Sequence, residues 1–186
     1  MSAPPLTAAA YFALRLEPVS GYGLPTTEGL LTASDCLTDR LPSDDDEHCW
    51  FGSPAEVLAA CGGALPPEGR LCSLCLPADS AAVLAEEIRA AHPHAHEPVL
   101  LPDHPHPPAP AGRVLGWEVL GYDVGLLHTW LCNDLYRDAV RDLAVTTTPY
   151  GLLPDHPTAA RLAAWANART DTKPVTWFAA ALAVHD

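Results

Sequence analysis

Cys72-Ser73-Leu74-Cys75 is the tightest arrangement of thiols in the chain. Two thiolates in a CxxC spacing reach one zinc ion when the segment between them turns, and a structural zinc site needs four ligands. Cys49 and Cys61, separated by eleven residues and lying ahead of the pair, supply the other two, with His48 able to replace either. Such a site on Cys49, Cys61, Cys72 and Cys75 would staple a Gly- and Pro-rich subregion spanning 44–78. Two other readings compete. A zinc ribbon takes its ligands as two tight pairs, and Cys49 and Cys61 are not one, so unliganded thiols are the simplest account. A redox CxxC wants its first thiol at a helix N-terminus, and Pro77 follows the pair too closely for that.

His128 and Cys132 form a second pair. They stand four residues apart within a helical pattern, so they are expected to meet on one helix face. An imidazolium beside a thiol favours the thiolate, which makes a nucleophile. Both residues also fall in the apolar arc of that pattern, where cysteine behaves as a small hydrophobe and a histidine is satisfied by one partner. They are catalytic candidates weighed against a core role.

Asp44, Asp45, Asp46 and Glu47 form an acidic run. Like charges this close repel and favour a solvated loop. The run lacks the alternating ligands and fixed glycine of a calcium loop. Its functional reading is a docking patch for a basic partner. Residues 92–112 hold His92, His94, His96, His104 and His106 among seven prolines. Alternate histidines in an extended chain chelate metals weakly, but this composition reads first as a solvated excursion.

The chain carries 23 Asp and Glu against 10 Lys and Arg, a formal charge of −13 over 186 residues. That balance repels phosphate backbones and argues against nucleic-acid binding. No segment reaches the ~18 unbroken apolar residues of a membrane span. No Lys or Arg precedes Arg15, so the basic start of a secretory signal is missing and a cytoplasmic protein with reduced thiols is expected. GxGxxG, Walker A, HExxH and GxSxG are all absent.

The elements that must position these residues follow from pattern. Residues 10–17 alternate as a half-buried strand. Ser53-Pro54-Ala55-Glu56 is a capping box with proline at the first helical position, and Gly62-Gly63 ends that helix. Residues 80–91 form a helix rich in good helix formers. Residues 113–124 read as a strand, with Leu115, Trp117 and Val119 on one face and Gly116 and Gly121 as bulge or close-approach points. Residues 126–144 give the longest helical pattern, carrying His128 and Cys132 on its apolar arc. Another helix starts at His156-Pro157, and the chain closes with a strand and a short tail.

A single α+β domain over 1–186 is the expectation, with a mixed or antiparallel sheet, packed helices and the His/Pro-rich excursion at 92–112. The expected function is a small acidic protein-binding or regulatory domain, inhibitor- or immunity-like, facing a basic protein. The alternative is a small enzyme of hydrolysis or group transfer with a His128/Cys132 pocket.

Overall fold

A computed structural model describes residues 4–20, 26–34, 36–42, 50–91, 112–123, 126–132 and 135–185. Among them run β1 (Thr7–Arg15), β2 (Arg40–Leu41), α1 (Pro54–Ala60), β3 (Gly69–Leu76) and α2 (Ala78–Ala91). Then follow β4 (Arg113–Asp123), β5 (Leu126–Thr129), α3 (Leu135–Leu143), α4 (His156–Asn167) and β6 (Trp177–His185). The strands form one six-stranded sheet in the order β2-β1-β3-β6-β4-β5, and every neighbouring pair is antiparallel. The fold is therefore α+β. The C-terminal strand β6 inserts between β3 and β4, so strands from before and after residues 92–111 share one hydrogen-bonded sheet. Residues 92–111 themselves, and with them nearly all of the expected excursion, lie outside the described residues.

Successive side chains of a strand point to opposite faces, and here both faces are covered. Tyr11, Ala13, Trp117, Val119, Trp177 and Ala181 share one apolar cluster with Val57 of α1, Leu135 of α3 and Leu162 of α4. Phe12, Leu14, Leu74, Leu120, Phe178 and Leu182 share the other with Leu84 and Ile88 of α2. This two-sided cover is why β1 is buried at every position from Ala8 to Leu14, instead of alternating as expected. Each fully buried leucine here contributes about 1.5–3 kcal/mol through removal of apolar surface from water.

The capping signals act as their chemistry dictates. Ser53 Oγ accepts from Glu56 N at 3.3 Å, and the Glu56 carboxylate reaches back to Gly52 N at 2.9 Å. Asp155 caps α4 by accepting from Thr158 N at 2.8 Å. At the far end of α4, Asn167 bonds both the N–H and the C=O of Trp177 at 2.8 Å, tying the helix to the start of β6.

Three expectations are corrected. The register of β4 shifts between Val114 and Gly116, so Leu115 packs with the second cluster, apart from Trp117 and Val119. Gly116 is a close-approach point, since a Cβ there would meet the Leu153 carbonyl at 2.8 Å. The continuous helix over 126–144 does not form. Residues 126–129 are β5, paired with β4 through Tyr122↔Leu127 and Leu120↔Thr129, and the helix begins only at Leu135. A short apolar run satisfies helical and extended patterns alike, and pairing with a neighbouring strand decides between them. Finally, the C-terminal strand runs through His185, leaving no tail beyond it among the described residues.

Candidate functional site

The site grows from a segment that has no regular structure of its own. Thr32, Ala33, Ser34 and Cys36 are held by side chains. Glu118 of β4, fully buried, accepts from Thr32 Oγ1 at 2.5 Å and from Ala33 N at 2.9 Å. Arg40 donates to the Ala33 carbonyl at 2.7 Å while its guanidinium lies 4.2 Å from the Phe12 and Trp50 ring centres. Thr32 Oγ1 accepts from Ser34 N at 2.9 Å, and Ser34 Oγ accepts from Cys36 N at 3.2 Å. Buried backbone groups must find partners, and these do so in polar side chains. The consequence is that Cys36, exposed to solvent, stands at a fixed place beside β5.

Cys36 Sγ lies 3.6 Å from His128 Nδ1. His128 sits on the edge strand β5, opposite Gly121 of β4, and its side chain is only 10% exposed. Its other nitrogen, Nε2, is 2.8 Å from Lys173 Nζ. Lys173 is paired with Asp123 Oδ2 at 2.9 Å, and that oxygen is 4.0 Å from Nε2. An ammonium carries donors and no acceptor. Lys173 therefore makes Nε2 the acceptor, which puts the proton of the neutral ring on Nδ1, facing the sulfur. The imidazole is thus a hydrogen-bond donor to Cys36.

Cys132 closes the cluster. It lies in the turn after β5, where its N–H bonds the Thr129 carbonyl at 3.0 Å. Burial pushes the Cys132 thiol up to about 11, and the adjacent Cys36 and Glu118 add to the shift. Glu118 also bonds the Thr129 side chain, so one carboxylate ties the Cys36 segment to the strand bearing His128. Its own carboxyl is raised by burial, against the opposing hydrogen bonds and the Arg40 charge.

His128 is thus a strand residue and Cys132 lies in the turn that follows, so the two do not share one helix face. Cys36 and Lys173 join them from distant parts of the chain and Asp123 from the end of β4, and the sequence alone did not single these three out. The one signal available was that Lys173 is the chain's sole lysine.

The expected zinc ligands do not gather in this way. Cys72 and Cys75 lie within β3, three positions apart, and so on opposite faces, one in each apolar cluster. A turn would have brought them to one ion; a strand separates them. Burial raises the Cys72 thiol to about 12, with Arg40 and Arg70 opposing, and also raises that of Cys75. Cys61 caps the C-terminal end of α1. Cys49 and His48 lie outside the described residues. Among the described residues, no three or more His, Cys, Asp or Glu are grouped as metal ligands.

The acidic run Asp44, Asp45, Asp46 and Glu47 also lies outside the described residues, as do His92, His94, His96, His104 and His106. The described residues include fourteen of the 23 acids and all ten Lys and Arg, a balance of only −4. Many of those acids are engaged. Arg169 bonds Asp138 at 2.6 Å and Asp171 at 2.7 Å, Arg141 bonds Asp142 at 2.7 Å, and Arg15 meets Glu68 at 3.3 Å.

A cavity of about 380 Å³ opens elsewhere, at the sheet end where Leu16, Leu115 and Val184 meet Arg70, Arg113 and His185. It shares no lining residue with the thiol cluster. Among the described residues, no helix is long and apolar enough to cross a membrane. Comparison with protein-family models, with curated proteins and with solved structures finds no match for this chain.

Proposed function

We propose that the chain is a small group-transfer protein that works through the Cys36 thiol. The observation that carries this reading is the exposed Cys36 Sγ, 3.6 Å from His128 Nδ1, with Lys173 Nζ 2.8 Å from the ring's other nitrogen. Cys36 gives its thiol proton to water, and its sulfur, with the charge steadied by the Nδ1–H, attacks an electrophilic carbon; the bond from that carbon to the leaving group breaks, and the Nδ1–H protonates the leaving group. As that proton departs, Nε2 takes one from Lys173, 2.8 Å away, Asp123 holds the lysine in line, and Lys173 recovers its proton from water. A hydrogen bond to a charged group contributes about 1.5–3 kcal/mol, roughly a tenfold or greater effect on rate. Cys132 is the poorer nucleophile because burial holds its thiol near 11.

The test is a generic acyl donor, p-nitrophenyl acetate. Nitrophenolate release with an acetyl group on the Cys36 peptide supports the reading, and Cys36→Ser should abolish both. Equal release from the Cys36→Ser variant would overturn it.

A second reading, docking to a basic protein, draws on the distribution of charge. The described residues carry a balance of −4, while nine acids and no Lys or Arg lie outside them, four of those acids at 44–47. Steering by such a run is salt-sensitive. A lysine-rich peptide should bind at low salt and lose affinity when 44–47 are changed to amides. Unchanged binding by that variant would remove this reading.

A further inference from the structure

We propose that the cavity at the end of the sheet binds a small carboxylic acid with an aliphatic body. The proposal is independent of the Cys36 reading, since the two places share no residue. The cavity holds about 380 Å³, toward the lower end of the ~300–1,000 Å³ common for small-molecule sites. Leu31 and Val184 on its wall are buried, and Leu16 and Leu115 are half-buried. The acidic and basic residues that line it are Arg70 and Arg113, and no Asp or Glu lines it among the described residues. Its charge is thus opposite in sign to the −13 of the whole chain. Apolar walls with a few polar groups at fixed places are what an amphiphilic ligand needs, and the sign of those groups asks for an anion.

Arg70 decides which anion. Its Nη1 donates to the carbonyls of Pro67 at 3.0 Å and Gly69 at 2.8 Å. Those bonds fix the guanidinium without neutralising it. Its Nε–Nη2 edge carries no hydrogen bond among the described residues. The same edge grips a carboxylate at two other places in this chain. Arg141 holds Asp142 at 2.7 and 3.2 Å, and Arg169 holds Asp171 at 2.9 and 2.7 Å. A planar head with two oxygens matches that edge through two parallel bonds, which are the strong, charge-assisted kind. Arg113 is exposed, and its side chain has no carboxylate partner among the described residues. The backbone of Tyr150 is held by Thr148 Oγ1 at 3.3 Å and by Leu31 N at 3.0 Å, while its hydroxyl has no hydrogen bond among the described residues. Two guanidinium groups and one phenol therefore have donors left for a ligand.

The experiment is calorimetric titration of the full chain with octanoate, alongside octan-1-ol, which lacks the charge, and acetate, which lacks the body. Octanoate should bind with one site per chain, and the other two at least about tenfold more weakly. Each methylene added between butanoate and octanoate should tighten binding by up to about fourfold, the effect of burying one CH₂. Arg70→Gln and Arg113→Gln should each weaken octanoate about tenfold and leave octan-1-ol unchanged, with the fold retained by circular dichroism. Arg113→Gln keeps the test decisive if Arg70→Gln disturbs the turn at Pro67. No binding of octanoate would overturn the proposal. Octan-1-ol or acetate binding as tightly as octanoate would also overturn it, as would octanoate affinity unchanged in both arginine variants.

Discussion

Lys173 Nζ stands 2.8 Å from His128 Nε2, and this one contact decides where the ring proton faces. With Lys173 as donor, the neutral imidazole carries its proton on Nδ1, toward Cys36. Nitrogen NMR of His128 near neutral pH should therefore show a protonated Nδ1 and a bare Nε2. Lys173→Met removes the donor, and the proton should move to Nε2. A native ring protonated on Nε2 would refute the donor role assigned to His128.

Glu118 is the hinge between the Cys36 segment and β5. Its folded carboxyl is raised above the ordinary 4.5 by burial. The native state then binds more protons than the unfolded state over the interval above 4.5. Stability from this group is full below that pH and falls as pH rises through the interval. Urea unfolding across pH should show a falling limb that Glu118→Gln flattens. Glu118→Val should cost about 3 kcal/mol, because Thr32, Ala33 and Thr129 lose their acceptor. A parallel pH profile in the Gln variant would count against this account.

Two backbone positions separate residues suited to their dihedrals from one that is not. Ala144 ends α3 with φ 51°, a conformation that costs an L side chain about 1 kcal/mol or more. Ala144→Gly should raise stability by about 1 kcal/mol, since the residue is exposed and its side chain fills no core space. Gly151 has φ 78°, and a Cβ there would meet Leu30 Cδ1 at 2.7 Å. Gly151→Ala should lower stability by about 2 kcal/mol or more, adding the dihedral cost to the clash. Chemical denaturation of the two variants checks both signs.

Local chemistry was legible wherever it acts within a few residues. The Ser53-Pro54-Glu56 start, the helix through residue 91 and the helix opening at His156-Pro157 all stand, because caps and periodicity are contained in the segment itself. What pairing decides was not legible. Leu126–Thr129 fit a helical arc until β4 took them as a strand. CxxC looked like a chelating turn until β3 set its thiols on opposite faces. The candidate site was half visible, as His128 and Cys132. Cys36 is 92 positions from His128 and Lys173 is 45, and nothing local marks either as its partner. The buried carboxylate that positions Cys36 lies 85 residues from the backbone N–H it binds.

The central claim is that Cys36 is the reactive thiol and that His128 makes it so. Competitive labelling with limiting iodoacetamide, read peptide by peptide, tests it most directly. Cys36 should be alkylated first, ahead of Cys132, Cys72 and Cys75, and His128→Phe should slow it about tenfold while the fold is retained by circular dichroism. Alkylation of Cys36 at the same rate with and without the imidazole, or preferential labelling of Cys132, would contradict it.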